Sequence, residues 1–278
     1  MQNIKTKITQ IHYDRNSQGL LFDTLKFCSY FYAIGSGLKN FLYDKKILRP
    51  KKVNAFVISV GNMTTGGVGK TPVVSEIAKY LISIGQKVAI VSRGYGGRLN
   101  NKKVNIISDG NTIYHDAQQA GDEPYWLATQ TKDCYVITSK NRFLASKYAV
   151  EKFGVNIIIL DDGFQHRKLH RDVDLVLMDS VKGFGNENLL PAGPLREGPE
   201  ALERIDRLVV VSKNTDHTTA QKVARIMQKR LNIPTSLCYT EPDYVYNIKN
   251  IFSRGDDIKL DLESDSVWAI FYYNAGLA

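Results

Sequence analysis

The residues with the clearest chemical purpose stand in the stretch VISVGNMTTGGVGKTPVV, residues 57–74. An apolar, β-rich run breaks into glycines and reaches Gly69-Lys70-Thr71, where a helix is expected to begin. In that setting the backbone N–H groups of Gly66 to Thr71 wrap around phosphate oxygens, because glycine lets the chain approach closely in conformations that side chains forbid. Lys70 supplies a cation to the β- and γ-phosphates, and the Thr71 hydroxyl can ligand Mg²⁺. Pro72 suits the first turn of a helix whose positive end is directed at the anion. A plain glycine turn between strand and helix would leave Gly-Lys-Thr without a purpose. The loop formed by Thr64, Thr65, Gly66, Gly67, Val68, Gly69, Lys70 and Thr71 is therefore expected to bind a nucleotide. One irregularity stands out: the usual Gly-x4-Gly-Lys-Thr pattern places its first glycine where this chain has Thr64.

Such a loop also needs a carboxylate at the end of another strand to hold the metal. NIIILDDGFQHR supplies a hydrophobic strand ending in Asp161-Asp162. Adjacent acids at a strand's carboxyl end lie where open α/β sheets place their active sites. One would hold Mg²⁺ through water while the other serves geometry or catalysis. Asp162 with Thr71 is the expected metal pair, with Asp161 as the alternative. A helix N-cap explains one aspartate better than it explains two. Asp179 follows a further strand-like run, Asp122-Glu123 forms a loop acid pair, and His166 follows the aspartates as a candidate substrate contact. A lone histidine is more often packed or on the surface.

These residues need a frame. Short apolar runs recur at Phe56–Val60, Val88–Val91, Cys134–Thr138, Asn156–Leu160, Leu175–Met178 and Leu208–Val211. Nearly continuous Val/Ile/Leu is the pattern of strands buried on both faces of a parallel sheet. TPVVSEIAKYLISIG, with apolar residues at Val74, Ile77, Ala78, Leu81 and Ile82, reads as a helix ending on Gly85, and NRFLASKYAVEKFG as another stopping at Gly154. The alternation predicts an α/β, doubly wound, mostly parallel sheet of the P-loop NTPase kind. The proline- and glycine-rich FGNENLLPAGPLREGPE reads as a long loop or linker. The expected organisation is an N-terminal segment over 1–52, a nucleotide-binding domain over 53–196, and a smaller α/β domain over 197–278.

Composition is that of ordinary globular material, with 43% hydrophobic and 23% charged residues in 278. Three cysteines without metal or redox spacing read as buried or free thiols, and no secretory signal pattern opens the sequence. Of the net charge of +9, seven excess positive charges fall in residues 1–52, among dense aromatics. That segment is too polar to span a bilayer. It fits a helix lying in an anionic membrane surface, and equally a helix packed on the domain with a solvated basic end. No nucleic-acid motif accompanies the charge, so nucleic acid is not an expected partner.

Taken together, VGNMTTGGVGKTP, SRGYGG, GDEP, LDDGFQHRKLHRDVDLVLMD and FGNENLLPAGPLRE resemble the tetraacyldisaccharide 4'-kinase family of lipid A synthesis, in family order over 57–197. Threonine at the first loop position is usual in that family, which accounts for Thr64. The resemblance implies transfer of the ATP γ-phosphate, with Mg²⁺, to the 4'-hydroxyl of an acylated glucosamine disaccharide 1-phosphate at the cytoplasmic face of the inner membrane. It implies Asp122 of GDEP as the catalytic base or base partner, Lys70 and Thr71 on phosphate and Mg²⁺, and Asp161 and Asp162 completing the metal and catalytic shell. Arg93 and Tyr95 of SRGYGG, His166, and Asn186 or Arg196 would meet the disaccharide and its phosphate. The apolar, basic N-terminus would meet acyl chains and anionic lipid.

The resemblance stops after SVWAI, where the chain reads FYYNAGLA while the family continues to an Asp-His-His motif whose histidine is thought to pair with the GDEP aspartate. The smaller domain is thus expected to be incomplete, and His217 stands in the wrong setting to replace that histidine. Two rival readings remain. One is an ATPase switch of the partitioning or positioning type, which shares GGVGKTP but carries a signature lysine where Thr65 stands. The other is an inactive copy that keeps the loop and binds membrane.

Overall fold

The structure, a computed structural model, describes residues 4–213, 217–247 and 269–277, with 240–247 and 269–277 as backbone. The strands are β1 (Phe56–Asn62), β2 (Val88–Ser92), β3 (Asn105–Asp109), β4 (Tyr135–Thr138), β5 (Ile157–Asp161), β6 (Val173–Asp179), β7 (Arg207–Ser212), β8 (Thr235–Asn247) and β9 (Ala269–Leu277). They form one sheet in the order β3-β4-β2-β5-β1-β6-β7-β8-β9. Strands from β4 to β8 in that order pair parallel, and β3 and β9 close the two edges antiparallel.

Period-two alternation sorts the strand side chains into two layers. Val60, Val88, Ile90, Ile157, Ile159, Leu177, Val209 and Val211 pack on one face, against Val73, Val74 and Ala78 of helix α3 (Lys70–Ser83) and Leu127 and Ala128 of the helix Asp122–Gln130. Ala89, Val91, Ile158 and Leu160 pack on the other, against Ala145 and Ala149 of the helix Arg142–Phe153. On that same face Val176, Met178, Leu208 and Val210 meet Ala224 of the helix His217–Leu231. The sheet is buried on both sides, as its nearly unbroken Val/Ile runs require. In chain order these helices and the N-terminal ones are α1 (Ile4–Tyr13), α2 (Leu20–Asp44), α3, α4 (Ala117–Ala120), α5 (Asp122–Gln130), α6 (Arg142–Phe153) and α7 (His217–Leu231).

The boundary expected near Arg196 meets no break in the sheet. β7 pairs with β6 and β8 with β7, so the strands on either side of Arg196 share one hydrogen-bonded frame. Prolines and glycines there make a loop closed on itself: Leu190 N–H donates to the Leu195 carbonyl, Leu195 N–H to the Asn188 carbonyl and Gly193 N–H to the Leu189 carbonyl, and Arg196 N–H donates to the Met63 carbonyl at 2.7 Å. Residues 248–268, within the expected smaller domain, lie outside the described residues. α2 has a single buried residue, Ser29, while Phe27, Tyr30, Phe31, Ile34, Leu38 and Phe41 are exposed. No helix among the described residues is long and apolar enough to cross a membrane.

Candidate functional site

Because the central strands are parallel, the segments that follow them emerge on one edge of the sheet. The nucleotide loop follows β1, SRGYGG follows β2, Asp162 follows β5, and Lys213 follows β7. The register sets Val60 beside Asp161, which brings the end of β5 against the start of the loop. A cavity of about 780 Å³ opens there, walled by Gly66 to Pro72, Arg93 to Tyr95, Glu123, Arg142, Asp161, Asp162, Arg196 and Lys213.

The loop enters α3 through Gly69, whose φ of +91° lies in the left-handed region that glycine adopts at little cost. Lys70 Nζ donates to Asn62 Oδ1 at 3.2 Å and lies 3.5 Å from Asp162 Oδ1. Asn62 Nδ2 in turn donates to the Thr64 carbonyl at 2.6 Å, so one buried amide braces both the lysine and the loop. The Pro194 carbonyl accepts Thr65 N–H at 2.7 Å, and Lys213 Nζ donates to the Gly67 carbonyl while pairing with Asp179 at 3.1 Å.

The two aspartates have different surroundings. Asp162 is held by both carboxylate oxygens on Arg196 Nη1, at 2.8 and 2.9 Å. Burial works to raise its pKa, but Lys70, Arg196 and Arg142 outweigh that and hold it below the usual carboxylate range. Asp161 is 3% exposed, and its Oδ1 has no hydrogen-bond partner. Burial and the nearby Glu123 raise its pKa to about 7, against the opposing pull of Lys70 and Arg142. An unpartnered buried carboxylate oxygen sharing a cavity with the Thr71 hydroxyl suits a hard cation. No cluster of three or more metal-binding side chains exists among the described residues.

Of the residues expected at the substrate side, Arg93, Tyr95 and Arg196 line the cavity, and Tyr95 is 83% exposed. His166, Asn186 and Asp122 do not line it. Asn186 has its amide committed elsewhere: Nδ2 donates to the Ile11 and Ala192 carbonyls at 2.8 and 2.9 Å, and Oδ1 accepts Asn188 N–H. It braces its own loop. His166 lies behind Arg142, with Nδ1 3.5 Å from Nη1. Burial and the cations Arg142, Lys39 and Arg171 push its pKa down to about 3, so its ring is neutral at neutral pH. Asp122 opens α5 beside Glu123, and Glu123 is the acid of that pair that reaches the cavity. His217 stacks edge-on against Tyr239 at 4.2 Å between ring centres and does not line the cavity.

Sequence reasoning passed over Asn62 and Arg142. Arg142 is buried, and its Nη2 donates to the Asp162 carbonyl at 3.3 Å. The available signals were a polar residue closing an apolar strand, and an arginine in the first turn of a helix where a cation gains nothing from the dipole.

Known proteins now bear on this geometry. The sequence model of the family described as Tetraacyldisaccharide-1-P 4'-kinase matches residues 22–255. Curated relatives include a Tetraacyldisaccharide 4'-kinase of Desulfotalea psychrophila, 49% identical over 63% of this chain and 50% of its own length. Another, of Syntrophus aciditrophicus, is 44% identical over 70% of this chain and 52% of its own. The chain thus spans about half the length of these relatives. Among solved structures, a crystal structure of the "apo" form of LpxK from Aquifex aeolicus in complex with ATP is 34% identical. It has a TM-score of 0.68 and covers 82% of this chain and 68% of that one. The chain belongs to the tetraacyldisaccharide-1-P 4'-kinase family.

Proposed function

We propose that the protein transfers the γ-phosphoryl group of ATP to the 4'-hydroxyl of an acylated glucosamine disaccharide 1-phosphate. The observation that carries this reading is a single cavity in which the Gly66–Thr71 loop and Lys70 face Asp161, Asp162, Arg93, Tyr95 and Arg196. A nucleotide triphosphate fits the loop side, and an anionic sugar fits the side lined by two arginines and an exposed aromatic ring. Family membership and the ATP complex of the similar LpxK structure support the donor and the acceptor class.

In the transfer, the acceptor oxygen bonds to the γ-phosphorus as the bond to the β,γ-bridging oxygen breaks. ADP departs and the hydroxyl proton goes to a carboxylate. Phosphoryl transfer asks mainly for alignment and charge neutralisation. Lys70, kept extended by Asn62 and Asp162, neutralises the transferred group. We assign the proton to Asp122, on the strength of the family resemblance. Thr71 and Asp161 are the residues that would hold Mg²⁺, which would supply neutralisation of phosphate charge. We assign Asp161 rather than Asp162 to this place because its Oδ1 is buried without a hydrogen-bond partner, whereas Arg196 already contacts both Asp162 oxygens.

The acceptor lipid would be met at a membrane surface. α2 turns Phe27, Phe31, Ile34 and Leu38 outward, it carries Lys26, and basic residues follow it at Lys45, Lys46 and Arg49. That pairing of an apolar face with cations suits the anionic cytoplasmic face of an inner membrane. The deciding assay incubates this chain with radiolabelled ATP and the disaccharide lipid. Label in the lipid is expected. Phosphate release that is independent of lipid would favour the ATPase switch instead.

A further inference from the structure

A continuous set of hydrogen bonds joins the outward-facing helix α2 to the nucleotide loop, by way of residues 184–197. Ser29 Oγ lies 2.9 Å from the Leu189 carbonyl and accepts Ala192 N–H at 3.0 Å. Tyr32 OH donates to the Arg196 carbonyl at 2.9 Å. From α1, His12 Nε2 donates to the Pro191 carbonyl at 3.0 Å, and the His12 carbonyl accepts Asn186 N–H at 2.9 Å. The same segment closes on the loop through Thr65 N–H to the Pro194 carbonyl and Arg196 N–H to the Met63 carbonyl, each at 2.7 Å. The Arg196 guanidinium then grips Asp162. Tyr13 reaches the loop directly, its hydroxyl donating to the Thr65 carbonyl at 3.2 Å.

We propose that Ser29 and Tyr32 of α2, together with Tyr13 of α1, are positioning residues that link the seating of these N-terminal helices on a lipid surface to the geometry of the nucleotide loop, so that bilayer and nucleotide bind with positive coupling. The inference rests on the membrane reading above. Its physical basis is the way α2 is attached. With Ser29 as its only buried residue, α2 is held by polar contacts rather than by a core. Lys39 Nζ donates to the Gln165 carbonyl at 2.7 Å, and Asp44 accepts from Arg167 Nη2 at 2.6 Å. Each such contact contributes modestly in water. A bilayer that takes up the outer, apolar face of α2 fixes the inner face in one orientation. The inner face then presents Ser29 and Tyr32 to residues 189–196 in the arrangement that holds Thr65 and Arg196 at the cavity. A nucleotide arriving afterwards has less of the loop to order.

Linkage makes the claim quantitative, because whatever factor the bilayer adds to nucleotide affinity, the nucleotide must add to bilayer affinity. The test uses this chain, a non-hydrolysable ATP analogue with Mg²⁺, and vesicles of phosphatidylethanolamine with phosphatidylglycerol. Nucleotide affinity is measured with and without vesicles, and vesicle cosedimentation with and without nucleotide. Both are expected to change by the same factor, about 5-fold or more, the lower end of ordinary coupling. The double variant Tyr13→Phe/Tyr32→Phe deletes only two hydroxyls. It is expected to keep its vesicle affinity in the absence of nucleotide while losing most of the coupling. A merely structural role would lower thermal stability and leave the coupling factor intact. Vesicle binding with unchanged nucleotide affinity in the unsubstituted chain overturns the linkage and spares the membrane reading. Failure to bind vesicles at all overturns both.

Discussion

Lys70 and Asp161 carry opposite kinds of electrostatic work, and each can be tested alone. Lys70 is a preorganised donor: Asn62 and Asp162 hold its ammonium before any phosphate arrives. Lys70→Ala should lower turnover by roughly 10²-fold or more, the scale of losing one such donor. Unchanged turnover at saturating ATP would remove it from the reaction. Asp161 is a buried acid whose pKa, raised to about 7, reflects desolvation and the neighbouring Glu123. An acid whose folded pKa exceeds its unfolded value stabilises the fold fully below the unfolded pKa and loses that contribution as pH rises through the folded one. The window therefore runs from the ordinary aspartate value of 3.8 to about 7. Asp161→Asn should flatten the decline in melting temperature between those limits and raise stability at pH 8 in the absence of Mg²⁺ and ATP. The same change should remove Mg²⁺-dependent turnover. A variant whose melting temperature falls with pH as steeply as the parent's would show that Asp161 is not the strained group. Stability given up at one carboxylate is then the counterpart of its function.

At the scale of elements, the turn between α4 and α5 shows how two distant motifs come to share a wall. Gly121 has a φ of +94°, and a Cβ built there would lie 2.5 Å from the Tyr95 carbonyl oxygen. The SRGYGG and GDEP segments are thus packed backbone to backbone, which carries Tyr95 and Glu123 to the same cavity. Gly121→Ala is expected to destabilise the fold by about 1–3 kcal/mol and to lower turnover as well, because the strain and the clash fall on both segments. A melting temperature within error of the parent's would contradict the close approach. Elements of this kind differ in how visible they are before folding. The central strands and α3 were legible because Val and Ile run unbroken through them and Gly69-Lys70-Thr71 marks the helix start. β3 was not, since NIISD is a short half-polar edge strand paired antiparallel to β4. α5 was hidden by Pro124 and by acids that read as a loop. The site divided in the same way. Lys70, Thr71 and the aspartate pair are declared by local spacing. The roles of Asn62, Arg142 and Asn186 depend on partners up to 175 residues away in the chain, which spacing cannot reveal.

On the scale of the whole molecule, charge and apolar surface are segregated onto α2 and its flanks rather than spread around the sheet. Seven excess positive charges lie in residues 1–52, and α2 exposes Phe27 and Phe31 packed edge to face at 5.3 Å. Two separable forces follow. Cations near an anionic bilayer contribute about 1 kcal/mol each, and this attraction is screened as the Debye length falls from about 30 Å at ~0.01 M salt to about 3 Å at ~1 M. Apolar side chains entering the acyl boundary contribute about 1.5–3 kcal/mol each when fully buried, and salt leaves that term nearly untouched. Cosedimentation with phosphatidylglycerol vesicles should therefore fall steeply with salt towards a plateau rather than to zero. Phe27→Ser/Phe31→Ser is expected to lower the plateau while preserving the salt-sensitive part, and Lys45→Gln/Lys46→Gln to do the reverse. Equal binding to neutral and anionic vesicles would count against the electrostatic part. An unchanged plateau in the Phe27/Phe31 variant would mean that the outer face of α2 is not what enters the bilayer. The two variants act at well-separated positions, one on α2 and one just past its C-terminal end, so their effects should add, and a combination that binds neither class of vesicle would account for the whole of the attachment through α2 and its flank.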